Sequence, residues 1–318
     1  MDISNIDWSK RYFSRSKAYA LGRLSCIAYQ TDVAGIDYDT EVSAWNFDTA
    51  QKHFVNVNFL GYNTQAYIFA NDKGIFLAFR GTQELEDWGA DLQSAEAPGA
   101  VYGLWTLCTV HLGFADALQT VWNQLFNSIN KLRSGTPDKP LWITGHSLGG
   151  ALALLAAAKF LHKHKSVSGV YNFGQPKVGN FVFCDHIDER LRFYRYVNHN
   201  DAVPGLPPVE FKHCGVIRYF DSQGVLQSNE TDRSILSTSF QDHHMENYLQ
   251  RLEEAGPDLG YLGNQRTLEF HDLENPNRNC QTDEIDPDHI KMFPSPEDAV
   301  AAGFDYCAWC FSRGMSQQ

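Results

Sequence analysis

One pentapeptide in this chain has the residue types and spacing of a covalent catalyst. Gly145-His146-Ser147-Leu148-Gly149 fits G-x-S-x-G. A serine held on a sharp turn between a strand and a helix is forced into a strained backbone conformation, and side chains two positions to either side would collide there. The glycines relieve that collision. The serine then stands clear of the sheet at a helix N-terminus, where the helix dipole favours negative charge. The flanks agree: Leu141 to Thr144 is a short apolar run, and Ala151 to Ala158 is a strong helix former.

A serine hydroxyl is a weak nucleophile until a base takes its proton. The base is expected to be a histidine oriented by a carboxylate. On this kind of sheet the order along the chain is Ser, then Asp or Glu, then His. Asp201 follows the strand-like run Phe193 to Val197, and a loop leaving the carboxyl end of a strand is where open α/β sheets carry their sites. His243 and His244 lie further on, in Asp242-His243-His244-Met245-Glu246-Asn247-Tyr248. Residue types alone leave the carboxylate and the histidine open, because several later residues of each type compete.

The elements that must hold these groups can be read from periodicity. Tyr19, Ala20, Leu24, Ile27 and Ala28 have helical spacing, as do Phe114, Leu118, Val121, Trp122, Leu125, Ile129 and Leu132. Tyr67 to Phe69 and Ile75 to Phe79 read as a hairpin about Asn71-Asp72-Lys73-Gly74. Gly169 to Phe173 and Phe193 to Val197 add strands. The Ala151–Ala158 helix is apolar nearly all round and is expected to be buried. Strands alternating with helices predict an α/β fold with a mostly parallel central sheet covered on both faces.

Composition limits the alternatives. The 318 residues are 43% hydrophobic and 13% aromatic, enough for a sizeable core. The formal net charge of −12 argues against a nucleic-acid partner and against holding an anionic membrane by charge. No run approaches the ~18 apolar residues of a transmembrane helix. The first 26 residues lack the pattern of a secretion signal, and seven cysteines, an odd number, do not read as a disulfide framework. The expectation from these features is a cytoplasmic protein.

Several blocks in order make the reading specific. Ala78-Phe79-Arg80-Gly81-Thr82 with Asp87-Trp88 and Asp91-Leu92, Val110 to Phe114, Thr144 to Ala151, Asn172 to Asn180, and Val197 to Pro208 together resemble the class 3, fungal-type lipase family of α/β-hydrolases over about residues 20–250. The resemblance implies an α/β-hydrolase domain over 1–254 and a serine carboxylic-ester hydrolase, a lipase acting on acylglycerols. Ser147 would be the nucleophile, Asp201 the orienting carboxylate and His243 the base, with His244 the runner-up. The backbone N–H groups of Leu148 and Thr82 would hold the oxyanion, and Arg80 would pair structurally with a carboxylate. A mobile lid would span Ser94 to Thr109, with Val101, Tyr102, Leu104, Trp105 and Leu107 as its apolar face. The partner is a lipid or ester, and catalysis calls for no cofactor. The alternative is a lipase-like protein that binds a ligand or partner without turnover.

Composition shifts after about residue 251. Residues 255–290 are rich in Gly, Pro, Asn and Asp and read as a linker into a small C-terminal element, the whole forming a second unit over 255–318. Pro296 opens a short helix that Gly303 closes, and Cys307-Ala308-Trp309-Cys310 follows. This tail is similar to the metal-binding module of Ada-type DNA-repair proteins. That resemblance implies a His/Cys₃ set, His271, Cys280, Cys307 and Cys310, around a structural zinc. The module's DNA association does not carry over to so acidic a segment.

Overall fold

The computed structural model describes residues 14–29, 53–59, 62–82, 95–99, 107–207, 211–227, 238–255, 260–272, 289–293 and 296–311, with isolated positions 6, 8, 9, 45, 230, 280 and 285. The chain divides into two compact units, residues 1–11 with 16–254 and residues 12–15 with 255–318.

The first unit opens with helix α1 (Arg15–Ile27) and strands β1 (His53–Phe59), β2 (Tyr62–Ala70) and β3 (Ile75–Phe79). The β2–β3 hairpin turns where the sequence places it. The Asn71 carboxamide oxygen accepts from the backbone N–H groups of Lys73 and Gly74, at 3.0 Å each. Short strands β4 (Glu96–Pro98) and β5 (Thr109–His111) pair with each other and lead into α2 (Leu112–Leu132). Then follow β6 (Leu141–His146), α3 (Leu148–His162), β7 (Gly169–Phe173), α4 (Phe181–Asp188), β8 (Phe193–Asn198), β9 (Val216–Phe220), β10 (Leu226–Gln227) and α5 (Met245–Glu254).

These strands form one eight-stranded sheet in the order β1-β2-β3-β6-β7-β8-β9-β10. The five central strands, β3 to β9, are mutually parallel, and the antiparallel pairings lie at the margins. A central parallel strand is covered on both faces, so every residue of β3, β6 and β7 is buried. α2 buries Phe114, Leu118, Val121, Trp122, Leu125 and Ile129 along one stripe, whereas α3 buries nearly its whole first twelve residues. The register puts the carboxyl ends of β3, β6, β7 and β8 along one edge: Phe79 faces Gly145, His146 faces Phe173, and Phe173 faces Tyr196. Gly81, Ser147, Gly174 and Asp201 all lie just beyond that edge. Among the described residues, no helix is long and apolar enough to cross a membrane.

The second unit holds β11 (Tyr261–Asn264), β12 (Glu269–Asp272), β13 (Ile290–Phe293), α6 (Pro296–Ala301) and β14 (Asp305–Tyr306). Its four strands form a separate sheet in the order β13-β11-β12-β14. Two of them, β11 and β12, occupy the stretch whose polar, Gly-rich composition suggested a linker. A strand of four residues needs only one or two buried side chains, here Tyr261 and Phe270 over a small core with Phe293, Ala299 and Phe304, so composition does not reveal it.

Candidate active site

The turn after β6 explains the spacing of its glycines in atomic terms. A Cβ on Gly145 would stand 2.1 Å from the Gly149 carbonyl oxygen, and one on Gly149 would stand 2.4 Å from the Phe79 oxygen. Neither position admits a side chain. Ser147 between them is held at φ 58°, ψ −130°, a conformation that costs of order 1–3 kcal/mol. Two backbone bonds hold it there: its N–H donates to Phe173 O at 2.9 Å, and its C=O accepts from Gly150 N at 2.9 Å. The Ser147 side chain is fully buried, and its Oγ has no hydrogen-bond partner among the described residues.

Asp201 and His243 meet across 42 residues of chain. His243 Nδ1 lies 2.9 Å from Oδ1 and 2.7 Å from Oδ2 of Asp201, both side chains without solvent exposure. An ionised carboxylate only accepts, so Nδ1 carries the proton and Nε2 is left as a base. That Nε2 is buried and has no partner among the described residues. His243, not His244, faces the carboxylate; His244 is exposed. Asp201 accepts two further bonds, from Val203 N at 2.9 Å and from Tyr248 Oη at 2.5 Å.

Neighbouring backbone brings the two loops together. Ser239 N donates to Asn200 O and Ala202 N donates to Ser239 O. Asn198, the last residue of β8, donates its side-chain amide to Asp242 O at 2.9 Å, and the Asp242 carboxylate accepts from Asn200 N at 3.2 Å. Asn198 N also donates to Tyr248 Oη at 3.0 Å. Asn198 and Asp242 escape sequence reasoning because each works through a loop distant in sequence. Tyr248 was visible only as part of the block after the histidine, one helical turn into α5.

Leu148 opens α3, and the first N–H groups of a helix have no partner within it. Gly81 abuts the turn at Ser147: a Cβ there would come within 3.1 Å of Ser147 Cβ and 2.7 Å of His146 O. Thr82 is therefore brought beside the same turn. Arg80 does not show the expected carboxylate partner among the described residues; its Nη1 donates to Gln65 Oε1 at 2.6 Å. A planar guanidinium donates to a neutral amide oxygen with geometry as good as to a carboxylate, which sequence alone does not distinguish. Asp87-Trp88, Asp91-Leu92, Pro208 and, within the lid stretch, Ser94 and residues 100–106 lie outside the described residues. The flanks of that stretch pair as β4 and β5, and Leu107 is 82% exposed.

In the second unit His271, Cys280, Cys307 and Cys310 bring one ligand atom each to within 4.8 Å of one another. His271 lies on β12. Cys307 follows β14, where its N–H donates to Phe270 O at 3.0 Å. All but Cys280 are buried. Burial lowers His271 and raises the thiols of Cys280 and Cys310 from their ordinary values.

The geometry can be set beside known proteins. Residues 76–211 match the family model described as lipase (class 3). This central segment is the class 3 lipase match. A lipase of Rhizomucor miehei is 34% identical over 157 residues, 47% of this chain and 42% of that protein. A secreted mono- and diacylglycerol lipase A of Penicillium cyclopium is 30% identical over 148 residues, 46% of this chain and 47% of that protein. The chain thus spans less than half the length of these curated relatives. The solved triacylglyceride lipase of Rhizomucor miehei aligns with TM-score 0.60 and 28% identity, over 71% of this chain and 91% of that one. The class 3 lipase-like unit therefore has the expected α/β-hydrolase fold. The cytoplasmic expectation is overturned, since the relatives include a protein named as secreted. Secretion leaders are cleaved, so a sequence without one does not report its compartment.

Proposed function

We propose that this protein is a serine carboxylic-ester hydrolase, a lipase acting on acylglycerols through an acyl-enzyme. The observation that carries the proposal is the pair of buried atoms without a partner among the described residues, Ser147 Oγ and His243 Nε2, with His243 already held by Asp201. In this reading Ser147 Oγ attacks the ester carbonyl carbon while His243 Nε2 takes its proton. The backbone N–H groups of Leu148 and Thr82 hold the oxyanion. The tetrahedral intermediate expels the alcohol, which leaves with the proton from His243. Water, deprotonated by the same nitrogen, then attacks the acyl-enzyme and releases the acid and free Ser147. Asp201 orients the ring and stabilises its charged form without itself taking the proton. No step calls on a cofactor. Neither Ser147 nor His243 is exposed, so an ester reaches them only when the chain above them moves, the role that a lid over Ser94 to Thr109 would serve.

The test is hydrolysis of nitrophenyl esters of graded chain length, with emulsified triacylglycerol in parallel. Ser147→Ala is expected to lose activity by a factor on the order of 10⁶. Retained activity in Ser147→Ala would remove the assignment. A wild type inactive on every ester, but binding acyl ligands, would favour the non-catalytic reading.

The same proposal gives the second unit, over residues 255–318, a structural zinc held by His271, Cys280, Cys307 and Cys310. The donor set fits: one imidazole and three thiols converge, as in closed tetrahedral sites. The similarity to the Ada-type module supports it. A unit whose described residues bury so few apolar side chains also gains most from such a staple.

A further inference from the structure

His146 is the one residue of the pentapeptide that the ester chemistry leaves without a task. It is buried, and its ring lies 4.4 Å from that of His243, tilted by 32°. Its two nitrogens are both engaged. Nε2 stands 2.7 Å from the carbonyl oxygen of His243, and Nδ1 stands 2.7 Å from Tyr29 Oη. A carbonyl oxygen only accepts, so Nε2 carries the hydrogen. The neutral ring then accepts at Nδ1, and Tyr29 is the donor. Burial first, and then the neighbouring His243, hold the His146 pKa well below its ordinary value, which keeps the ring neutral.

Tyr29 in turn faces the oxyanion arm. The two are in close contact, for a Cβ on Gly81 would stand only 2.2 Å from the Tyr29 hydroxyl oxygen. Tyr29 sits just past the end of α1, more than fifty residues before Gly81. Hydrogen bonds thus run from Tyr29, which packs on Gly81, through His146 to the backbone of His243. They cross the elbow one residue before Ser147.

We propose that Tyr29 and His146 are positioning residues that tie the oxyanion arm and the base loop to the last residue of β6, and so keep Thr82 and His243 in register with Ser147. The inference rests on the reading of Ser147 and His243 as nucleophile and base. Neither residue touches substrate. Both act through the backbone they hold. Displacement of a catalytic group by about 1 Å costs as much as 10²-fold in rate. The pair sits where such a displacement would reach two catalytic groups together.

The test uses the full chain and a soluble short-chain nitrophenyl ester, so that a lipid surface plays no part. Tyr29→Phe keeps the ring and removes the bridging oxygen. His146→Leu removes both bonds, and His146→Gln restores a donor and an acceptor about the same distance apart. Tyr29→Phe and His146→Leu are expected to lose about 10- to 100-fold in kcat with KM within twofold, and His146→Gln to recover part of the loss. The low-field proton resonance of His243 Nδ1 is expected to shift in Tyr29→Phe, which a packing role alone would not produce. Rates are taken per folded molecule, counted by near-ultraviolet circular dichroism. Unchanged kcat in both variants, or a rise in KM alone, would overturn the inference. If Ser147→Ala were itself active, the underlying site reading would fail instead, so the two failures are distinguishable.

Discussion

Gly174 lies against the His243 ring: a methyl group at position 174 would stand 2.6 Å from Cε1, 2.7 Å from Nδ1 and 2.9 Å from Oδ2 of Asp201. Gly174 also has φ 56°, so the position excludes side chains on two counts. Gly174→Ala is expected to push the ring off its carboxylate. Ester hydrolysis should fall at least 10²-fold, by the cost of misplacing a catalytic group. The change in unfolding free energy, read by urea titration, should stay within about 1–3 kcal/mol, the range for a strained backbone position. Near-wild-type kcat in this variant would mean that the ring is free to move.

Tyr248 Oη both donates to Asp201 and accepts from Asn198 N. Tyr248→Phe removes a bond to a buried charge and orphans a backbone N–H. The expected loss is about 1.5–3 kcal/mol of stability, the range for hydrogen bonds to charged groups. Activity should fall far less than in Asp201→Asn, for which the loss is on the order of 10⁴-fold. Measuring both variants by denaturant titration and ester hydrolysis checks the order.

Stability should depend on pH through His146. In the unfolded chain its pKa is about 6.5. In the folded chain burial, and then the charge of the neighbouring His243, hold it well lower. The unfolded state therefore binds more protons in the interval between the two values. Its contribution is complete above about pH 6.5 and falls as pH drops below it, by up to about 1.4 kcal/mol per pH unit. The His243 carbonyl, which accepts from Nε2, opposes this pKa shift without reversing it. Urea titrations at pH 7.5, 6 and 5 should show a shallower acid loss for His146→Gln than for wild type. Parallel curves would assign the acid sensitivity to other groups.

Metal removal tests the second unit separately. One zinc per chain is expected by elemental analysis, lost together with one of two thermal transitions on treatment with a strong chelator. Cys307→Ser should bind less zinc while leaving hydrolysis of soluble esters unchanged. A metal-free protein as purified, with Cys280 and Cys310 joined in a disulfide, would replace the zinc reading.

The order of elements was legible in the residues themselves. Periods of 3.6 in α2, continuous apolar runs in β6 and β7, and the Asn71–Gly74 turn are local properties, and local sterics decide them. The turn that carries Ser147 was legible for the same reason, since Gly145 and Gly149 leave a pattern only five residues wide. Which of His243 and His244 meets Asp201 was decided by tertiary structure. Neighbours in sequence have the same chemistry, and only the fold shows which of them faces Asp201 and which faces water. The same is true of Tyr29, whose task exists only because α1 ends beside the turn after β6. His271 was implied beside Cys307-x-x-Cys310 by resemblance, and it is the pairing of β12 with β14 that brings them together. Residues far apart in sequence carry no mark of their partner, because the bond that joins them is formed by the fold.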